Sequence, residues 1–172
     1  MKFTRLSASA IAFVWLAAGA ANAQTIDWRS DTNRTFWNGI TMGELRELAG
    51  EAGAQFIDLP DSGRELKAQL VWPDLKPVIV TLADCNGVAG ASPNCGELRL
   101  HISDLKAPTD YEAYNLVSSS WTSTAISSGK AAIYRSEILT YGTTRGHVLG
   151  SLMLFRREAI AELVLLDQFT DD

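Results

Sequence analysis

Apolar side chains recur at helical spacing in three parts of the chain. The first helix is predicted to begin at Thr41, which forms a Thr-x-x-Glu capping box with Glu44, and to stop at Gly53. Its apolar face consists of Leu45, Leu48, Ala49 and Ala52. A second capping box, Thr109 with Glu112, predicts a helix that carries Tyr111, Tyr114, Asn115 and Val117.

The third helix is the longest and is predicted to start near Thr143 or Thr144. Its apolar stripe is long enough to cover a sheet and consists of Val148, Leu149, Leu152, Met153, Ile160, Leu163 and Val164. Glu158 and Glu162 lie one turn apart on this helix, close to two arginines. That spacing is typical of a solvated face with modest ion pairing.

Between the helices the apolar side chains alternate with a period of two, which is typical of strands. Runs at 55–59, 66–72 and 78–83 are predicted strands. A fourth strand follows, in which the core-facing side chains are Leu98, Leu100 and Ile102. Arg99 and His101 are expected on its outward face.

A hairpin is predicted further along, with arms at 123–127 and 131–141 and a turn at 128–130. The element order is therefore helix, strands, helix, hairpin and helix. This order predicts a two-layer α+β domain, in which helices pack on a twisted, mostly antiparallel sheet.

Residues 1–23 have the three parts of a cleavable secretory signal. Lys2 and Arg5 precede an apolar run at 6–18, and Ala21-Asn22-Ala23 is a small-residue cleavage box. The alternative is an uncleaved anchor, for which the apolar run is short. We therefore expect cleavage after Ala23 and a domain that is periplasmic or secreted.

The rest of the chain divides into an aromatic arm at 24–40, a domain at 41–169 and an acidic tail at 170–172. Trp28 and Trp37 lie in the arm without clear periodicity. Their rings either pack onto the domain or form an exposed docking site, and burial is the more common outcome for large aromatic side chains.

Charge and cysteine content narrow the possible partners. The formal net charge is −5 and no basic cluster is present, so nucleic acid and anionic membranes are poor partners. Cys85 and Cys95 flank a turn-rich loop, and in an exported protein such a pair is expected to form a disulfide. A redox or metal pair is the alternative, but the spacing is not C-x-x-C.

Candidate chemistry is sparse. The sequence contains no G-x-S-x-G, S-x-x-K or P-loop motif. Its two histidines, His101 and His147, have no partner at metal-ligand spacing, so both are interpreted as solvated. We therefore predict no catalytic residues, no metal and no cofactor, and a protein that is not an enzyme.

Four features in order resemble the YbjN family, labelled as bacterial sensory transduction regulators. The first is the helix that ends at Gly53. The others are T-L-A-D-C at 81–85 with C-G-E-L-R-L at 95–100, Y-E-A-Y-N at 111–115, and a last helix after Y-G-T-T at 141–144. The resemblance implies a fold similar to that of type III secretion chaperones, and it implies no catalytic residues.

The leading hypothesis is an exported interaction module that binds or regulates a protein partner, with a homodimer left open. Its predicted partner-binding residues are Trp28, Trp37, Tyr114 and Asn115. One alternative is an enzyme inhibitor that acts through the Cys85–Cys95 loop. Another is a hydrolase whose site assembles in space, with His101 or His147 as the base.

Overall fold

The computed structural model describes residues 25–61, 65–86, 93–118 and 122–170. The signal segment at 1–23 and the last two residues lie outside this part of the chain. The elements in chain order are α1 (Asp31–Arg34), β1 (Phe36–Trp37), α2 (Met42–Glu51), β2 (Gln55–Asp58), β3 (Leu66–Val71), β4 (Val78–Asn86), β5 (Asn94–Lys106), α3 (Tyr111–Val117), β6 (Ser123–Ser127), β7 (Lys130–Ile138), β8 (Thr143–Thr144) and α4 (Arg145–Gln168).

Six of the strands form one antiparallel sheet in the order β2-β3-β4-β5-β7-β6. β1 and β8 pair separately as a short antiparallel ribbon. The buried side chains of α2 and α4 share one core cluster with the alternate side chains of the sheet. The predicted α+β class is therefore confirmed, while the likeness to type III secretion chaperones stays a prediction.

The start of α2 is the capping box that the sequence predicts. The Thr41 hydroxyl accepts from the Glu44 backbone N–H at 3.2 Å, and the Glu44 carboxylate accepts from the Thr41 backbone N–H at 2.8 Å. All four side chains of the predicted apolar face are buried. Gly53 follows the helix with φ +74°, the left-handed conformation that glycine adopts most easily.

The predicted alternation in the sheet is also confirmed. Leu98, Leu100 and Ile102 are at most 2% exposed, and they face the core beside the buried side chains of β3 and β4. Trp72 closes one end of this core, where its indole N–H donates to the Ala52 carbonyl at 2.9 Å. β4 and β5 are both longer than predicted and run up to the cysteine loop.

The buried stripe of α4 differs from the predicted one. Its members recur every three or four residues and include Val148, Leu152, Phe155, Ala159, Glu162 and Leu166. Ile160 and Leu163 are only partly buried, and Val164 is 53% exposed. The solvated face predicted for Glu162 is wrong: this residue is 2% exposed because it lies on the stripe that faces the sheet.

The start of α3 also differs from the prediction. Asp110 caps the helix, and its carboxylate accepts from the Ala113 backbone N–H at 3.0 Å. Thr109 instead donates through its backbone N–H and its hydroxyl to the Phe169 carbonyl, at 2.7 and 3.0 Å. The predicted Thr109–Glu112 capping box is therefore wrong, because Thr109 ties α3 to the end of α4.

The hairpin of β6 and β7 is confirmed with a shorter turn. Ser127 pairs with Lys130, so only Ser128 and Gly129 form the turn, with φ values of +51° and +76°. Positive φ at both turn residues is the geometry of a tight two-residue hairpin. The second strand ends at Ile138, earlier than predicted.

The N-terminal arm is joined to the domain at several points. β1 pairs with β8, and Ile40 bridges Cys95 at the start of β5. The ring of Phe36 occupies the space that a Cβ on Gly142 would need, and Gly142 itself has φ +90°. Only glycine fits at this close approach.

Candidate interaction surface

The disulfide holds the strands β4 and β5 together at one end of the sheet. Cys85 and Cys95 lie directly opposite each other, and their sulfur atoms are at bonding distance, which confirms the predicted pair. Both backbone polar groups of Cys95 bond to Ile40, at 2.8 and 2.9 Å. The two cysteines are therefore a non-hydrogen-bonded pair, the arrangement that brings opposite side chains closest. The loop at 87–92 lies outside the described residues.

The side of the sheet opposite the helices is called the open face below. Tyr134 and Ile138 are 44% and 63% exposed on it, in contrast to the buried aliphatic side chains of the other side. Thr81 is only 5% exposed because Lys67 and Arg99 flank it in register. The residues of the open face on β3, β4, β5 and β7 include Lys67, Gln69, Ile79, Thr81, Glu97, Arg99, His101, Tyr134, Ser136 and Ile138.

Charges on the open face are held in a fixed network. Arg99 donates to Glu97 at 2.6 Å and to Glu65 at 3.1 Å, and the Ser136 hydroxyl donates to Glu97 at 2.6 Å. The hydrogen bonds from Arg99 and Ser136 lower the pKa of Glu97 below its ordinary value. Glu97 in turn raises the pKa of Arg99. Both groups therefore stay charged and oriented at neutral pH.

His101 lies between Ile79 and Tyr134 in the cross-strand register. It is on the predicted face, but it is partly buried rather than fully solvated. Burial and the nearby charge of Lys67 lower the pKa of His101. The imidazole is therefore neutral at pH 7, and the middle of the open face is an aromatic and aliphatic strip beside a charged one.

A polar cluster joins α4 to β7 on the helix side of the sheet. The hydroxyl of Ser151 donates to Glu137 at 2.7 Å, Arg135 donates to the same carboxylate at 2.7 Å, and His147 Nε2 is 3.5 Å from its other oxygen. Burial raises the pKa of Glu137, but the bonds from Ser151 and Arg135 outweigh burial and the pKa is lowered overall.

This cluster does not have the geometry of a hydrolytic triad. A hydroxyl nucleophile needs a hydrogen bond to its base. Ser151 bonds to Glu137 and not to His147. The arrangement anchors α4 on β7, and the hydrolase hypothesis for His147 gains no support from it.

A second buried polar cluster joins α3, α4 and β6. The Tyr114 hydroxyl donates to Glu162 at 2.5 Å and lies 2.8 Å from the Thr124 hydroxyl. Burial, followed by the bond to Glu162, raises the pKa of Tyr114, so it remains a phenol at any physiological pH. Tyr114 is also the single buried side chain of α3 in the described structure, so this bond fixes the position of the helix.

The predicted partner-binding residues fall into two groups. Trp28 is 56% exposed, with its ring resting on Gly146 and Gly150 of α4, and Trp37 packs partly buried against the core. Asn115 is exposed on α3, whereas Tyr114 is fully buried. Tyr114 therefore cannot touch a partner in this conformation, while partner contacts at the other three residues stay a prediction.

These two groups do not form one site. Trp28 rests near Gly150, whereas Tyr114 bonds to Glu162 further along the same helix. Twelve residues of an α-helix span about 18 Å. The sequence did not single out Tyr134 and Ile138, although the pairing of β7 with β5 places Tyr134 opposite His101 and Ile138 opposite Glu97.

The described residues show only weak features of any other binding site. A shallow pocket of about 300 Å³ lies between the end of β5 and the last turns of α4, lined by Leu105, Lys106, Leu163 and Asp167 among others. Within 25–61, 65–86, 93–118 and 122–170, no three potential metal ligands converge. None of the helices described there is long and apolar enough to cross a membrane.

Comparisons with known proteins identified no relative of this chain. No protein-family model, curated protein or solved structure matches the chain. The fold defines a two-layer α+β protein with one covered and one open sheet face. The resemblance to the YbjN family stays a prediction.

Proposed function

We propose that this protein is an exported, non-catalytic module that binds a protein partner across the open face. The observation that carries the proposal is the exposure of Tyr134 and Ile138 beside the oriented Arg99–Glu97 pair. Exposed aromatic and aliphatic side chains next to fixed charges supply the two parts of a specific interface, an anchor and a polar rim.

The open face is also well suited to binding because its shape is fixed. Its residues belong to β3, β4, β5 and β7, which are paired on both sides, and the helices are packed behind them. Ordering such a face on binding costs little conformational entropy, so more of the contact energy appears as affinity.

Export is the second part of the proposal. It rests on the signal-like segment at 1–23 and on the Cys85–Cys95 bond, because disulfides persist in oxidising compartments. The partner is accordingly sought in the periplasm or outside the cell.

The test uses the chain from residue 24 onwards as an immobilised bait in an envelope extract. We expect a protein that the wild type retains and that the Ile138→Asp variant loses, because the substitution replaces an exposed apolar side chain with a carboxylate directly opposite that of Glu97. Tyr141→Asp is the matched control, since Tyr141 is 90% exposed and lies outside the open face. The retained protein is then purified and titrated against all three baits.

Two results would contradict the proposal. One is an extract from which the wild type retains nothing specific. The other is a purified partner whose dissociation constant is the same for the wild type and Ile138→Asp, which would place the interface elsewhere.

A further inference from the structure

The two edges of the six-stranded sheet are protected to different degrees. On β2, Asp58 is bound twice by Arg46 of α2 at 2.7 Å, and the same guanidinium lies 4.9 Å over the Phe56 ring. A charged side chain and a covering helix are common ways to prevent edge pairing. β6 carries no charged side chain, since the sequence of Ser123–Ser127 is Ser-Thr-Ala-Ile-Ser, and its Thr124 forms a hydrogen bond with Tyr114 of α3 on the covered side.

The hairpin turn determines which backbone groups of β6 point outwards. Ser127 and Lys130 close a two-residue turn and bond to each other, so Ser123, Ala125 and Ser127 direct their backbone groups towards β7. Thr124 and Ile126 consequently direct theirs to the outer edge. In the part of the chain that the structure describes, no other strand pairs with this edge.

We infer that β6 is a dimerisation edge, at which a second copy of this chain adds its own β6 in antiparallel orientation. A two-fold axis at Ala125 places Thr124 opposite the second copy's Ile126. Thr124 and Ile126 carry the outward backbone groups, so Thr124 of one copy and Ile126 of the other exchange two hydrogen bonds. The two-fold axis repeats this exchange between Ile126 of the first copy and Thr124 of the second. The register is thus self-complementary without any change in the fold.

The side chains are compatible with the same register. Ser123, Ala125 and Ser127 are exposed, small and uncharged. Under the two-fold axis Ala125 meets its own copy, and Ser123 meets Ser127, all as non-hydrogen-bonded pairs in which opposite Cβ atoms are close. In this dimer the open faces of the two copies form one continuous surface. The inference goes beyond the proposed function and does not depend on it.

The decisive experiment introduces single cysteines, because both native cysteines are bonded to each other. Under mild oxidation Ala125→Cys is expected to cross-link with itself into a covalent dimer. Ser127→Cys alone is expected to remain uncross-linked, since its neighbour across the axis is Ser123. An equal mixture of Ser123→Cys and Ser127→Cys is expected to cross-link, and mass spectrometry of the intact protein measures each product.

A second pair of variants tests the same register without oxidation. Ala125→Lys and Ala125→Glu each place like charges across the axis, and sedimentation should show the dimer dissociation constant rising roughly fivefold. Mixing the two variants should restore a heterodimer. The residue is exposed, so neither variant is expected to alter the thermal unfolding of the monomer.

The inference is overturned by a wild type that sediments as a monomer at about 100 µM. It is also overturned if Ser127→Cys cross-links with itself as readily as Ala125→Cys does, since that result would report random collision. Neither outcome affects the partner test, which depends on Ile138 of the open face and not on β6.

Discussion

Both faces of the six-stranded sheet carry large apolar side chains, but the two faces expose them differently. On the covered face Leu70, Val80 and Leu100 are at most 1% exposed, whereas on the open face Tyr134 and Ile138 are 44% and 63% exposed. The covered face meets α2 and α4 in one apolar cluster. The open face instead combines its apolar side chains with the Arg99–Glu97 network.

This difference assigns stability to one face and recognition to the other. Burying apolar surface is the main favourable term in folding, so loss of a covered side chain acts on the whole domain. An exposed side chain contributes little to folding, but it is available to a partner. Substitutions on the two faces should therefore separate unfolding from binding.

The largest effect is expected at the centre of the covered face. Phe155→Ala removes a fully buried ring from α4, and the free energy of unfolding should fall by about 3–5 kcal/mol. Ile138→Ala on the open face should change it by no more than about 0.5 kcal/mol. Urea unfolding of both variants measures the contrast.

Val164→Ala is the matched control on α4, because Val164 is 53% exposed. Its effect should also stay within about 0.5 kcal/mol. Equal losses at Phe155 and Ile138 would break the comparison between the faces, since they would show that the open face is buried in solution.

The disulfide should have the next largest effect. Replacing both Cys85 and Cys95 by alanine releases a loop with a sequence separation of 10 residues, which should lower the free energy of unfolding by about 3 kcal/mol. A reducing agent should lower the melting temperature of the wild type to about that of the variant, and it should leave the melting temperature of the variant unchanged. A reductant effect on the variant would show that the bond is not the cause.

The Tyr114–Glu162 hydrogen bond should contribute less to the free energy of unfolding. Its removal tests whether a polar group on the covered side stabilises the fold. Tyr114→Phe removes the donor at 2.5 Å from Glu162 while keeping the ring, and the expected loss is about 1–3 kcal/mol. Tyr111→Phe, on the exposed side of the same helix, should change stability by less than about 0.5 kcal/mol. Similar losses at both tyrosines would argue against a special role for the buried bond.

The features that the sequence predicted correctly depend on neighbouring residues. The Thr41–Glu44 capping box is complete within one turn, and the alternation of Leu98, Leu100 and Ile102 needs only the geometry of a strand. The cysteine pair follows from its short spacing together with the export signal.

The features that were mispredicted depend on contacts between distant parts of the chain. Thr109 bonds to Phe169, which is 60 residues away, so Asp110 caps α3 in its place. Glu162 is buried because Tyr114 and Thr124 supply donors from 48 and 38 residues away. The open face emerges only from the long-range pairing of β7 with β5, which places Tyr134 opposite His101 and Ile138 opposite Glu97.

The smallest expected effect is a pH dependence that originates on the open face. The pKa of His101 is lowered in the folded protein from an ordinary value of 6.5. Below that value the unfolded chain binds more protons than the folded one, so stability should fall as the pH drops from 7.5 to 5.5. The carboxyl groups of Glu97 and Glu137, whose pKa values are also lowered, should add their losses only below about pH 4.5.

His101→Gln should therefore flatten the dependence of the unfolding free energy on pH between 7.5 and 5.5, while His147→Gln retains His101 and should keep the decline. The measurement is urea unfolding at both pH values for the wild type and the two variants. A decline that survives His101→Gln would mean that the imidazole is as solvated in the folded state as in the unfolded chain. In that case the strip between Ile79 and Tyr134 would be wetter than its burial indicates, and a partner would gain less by covering it.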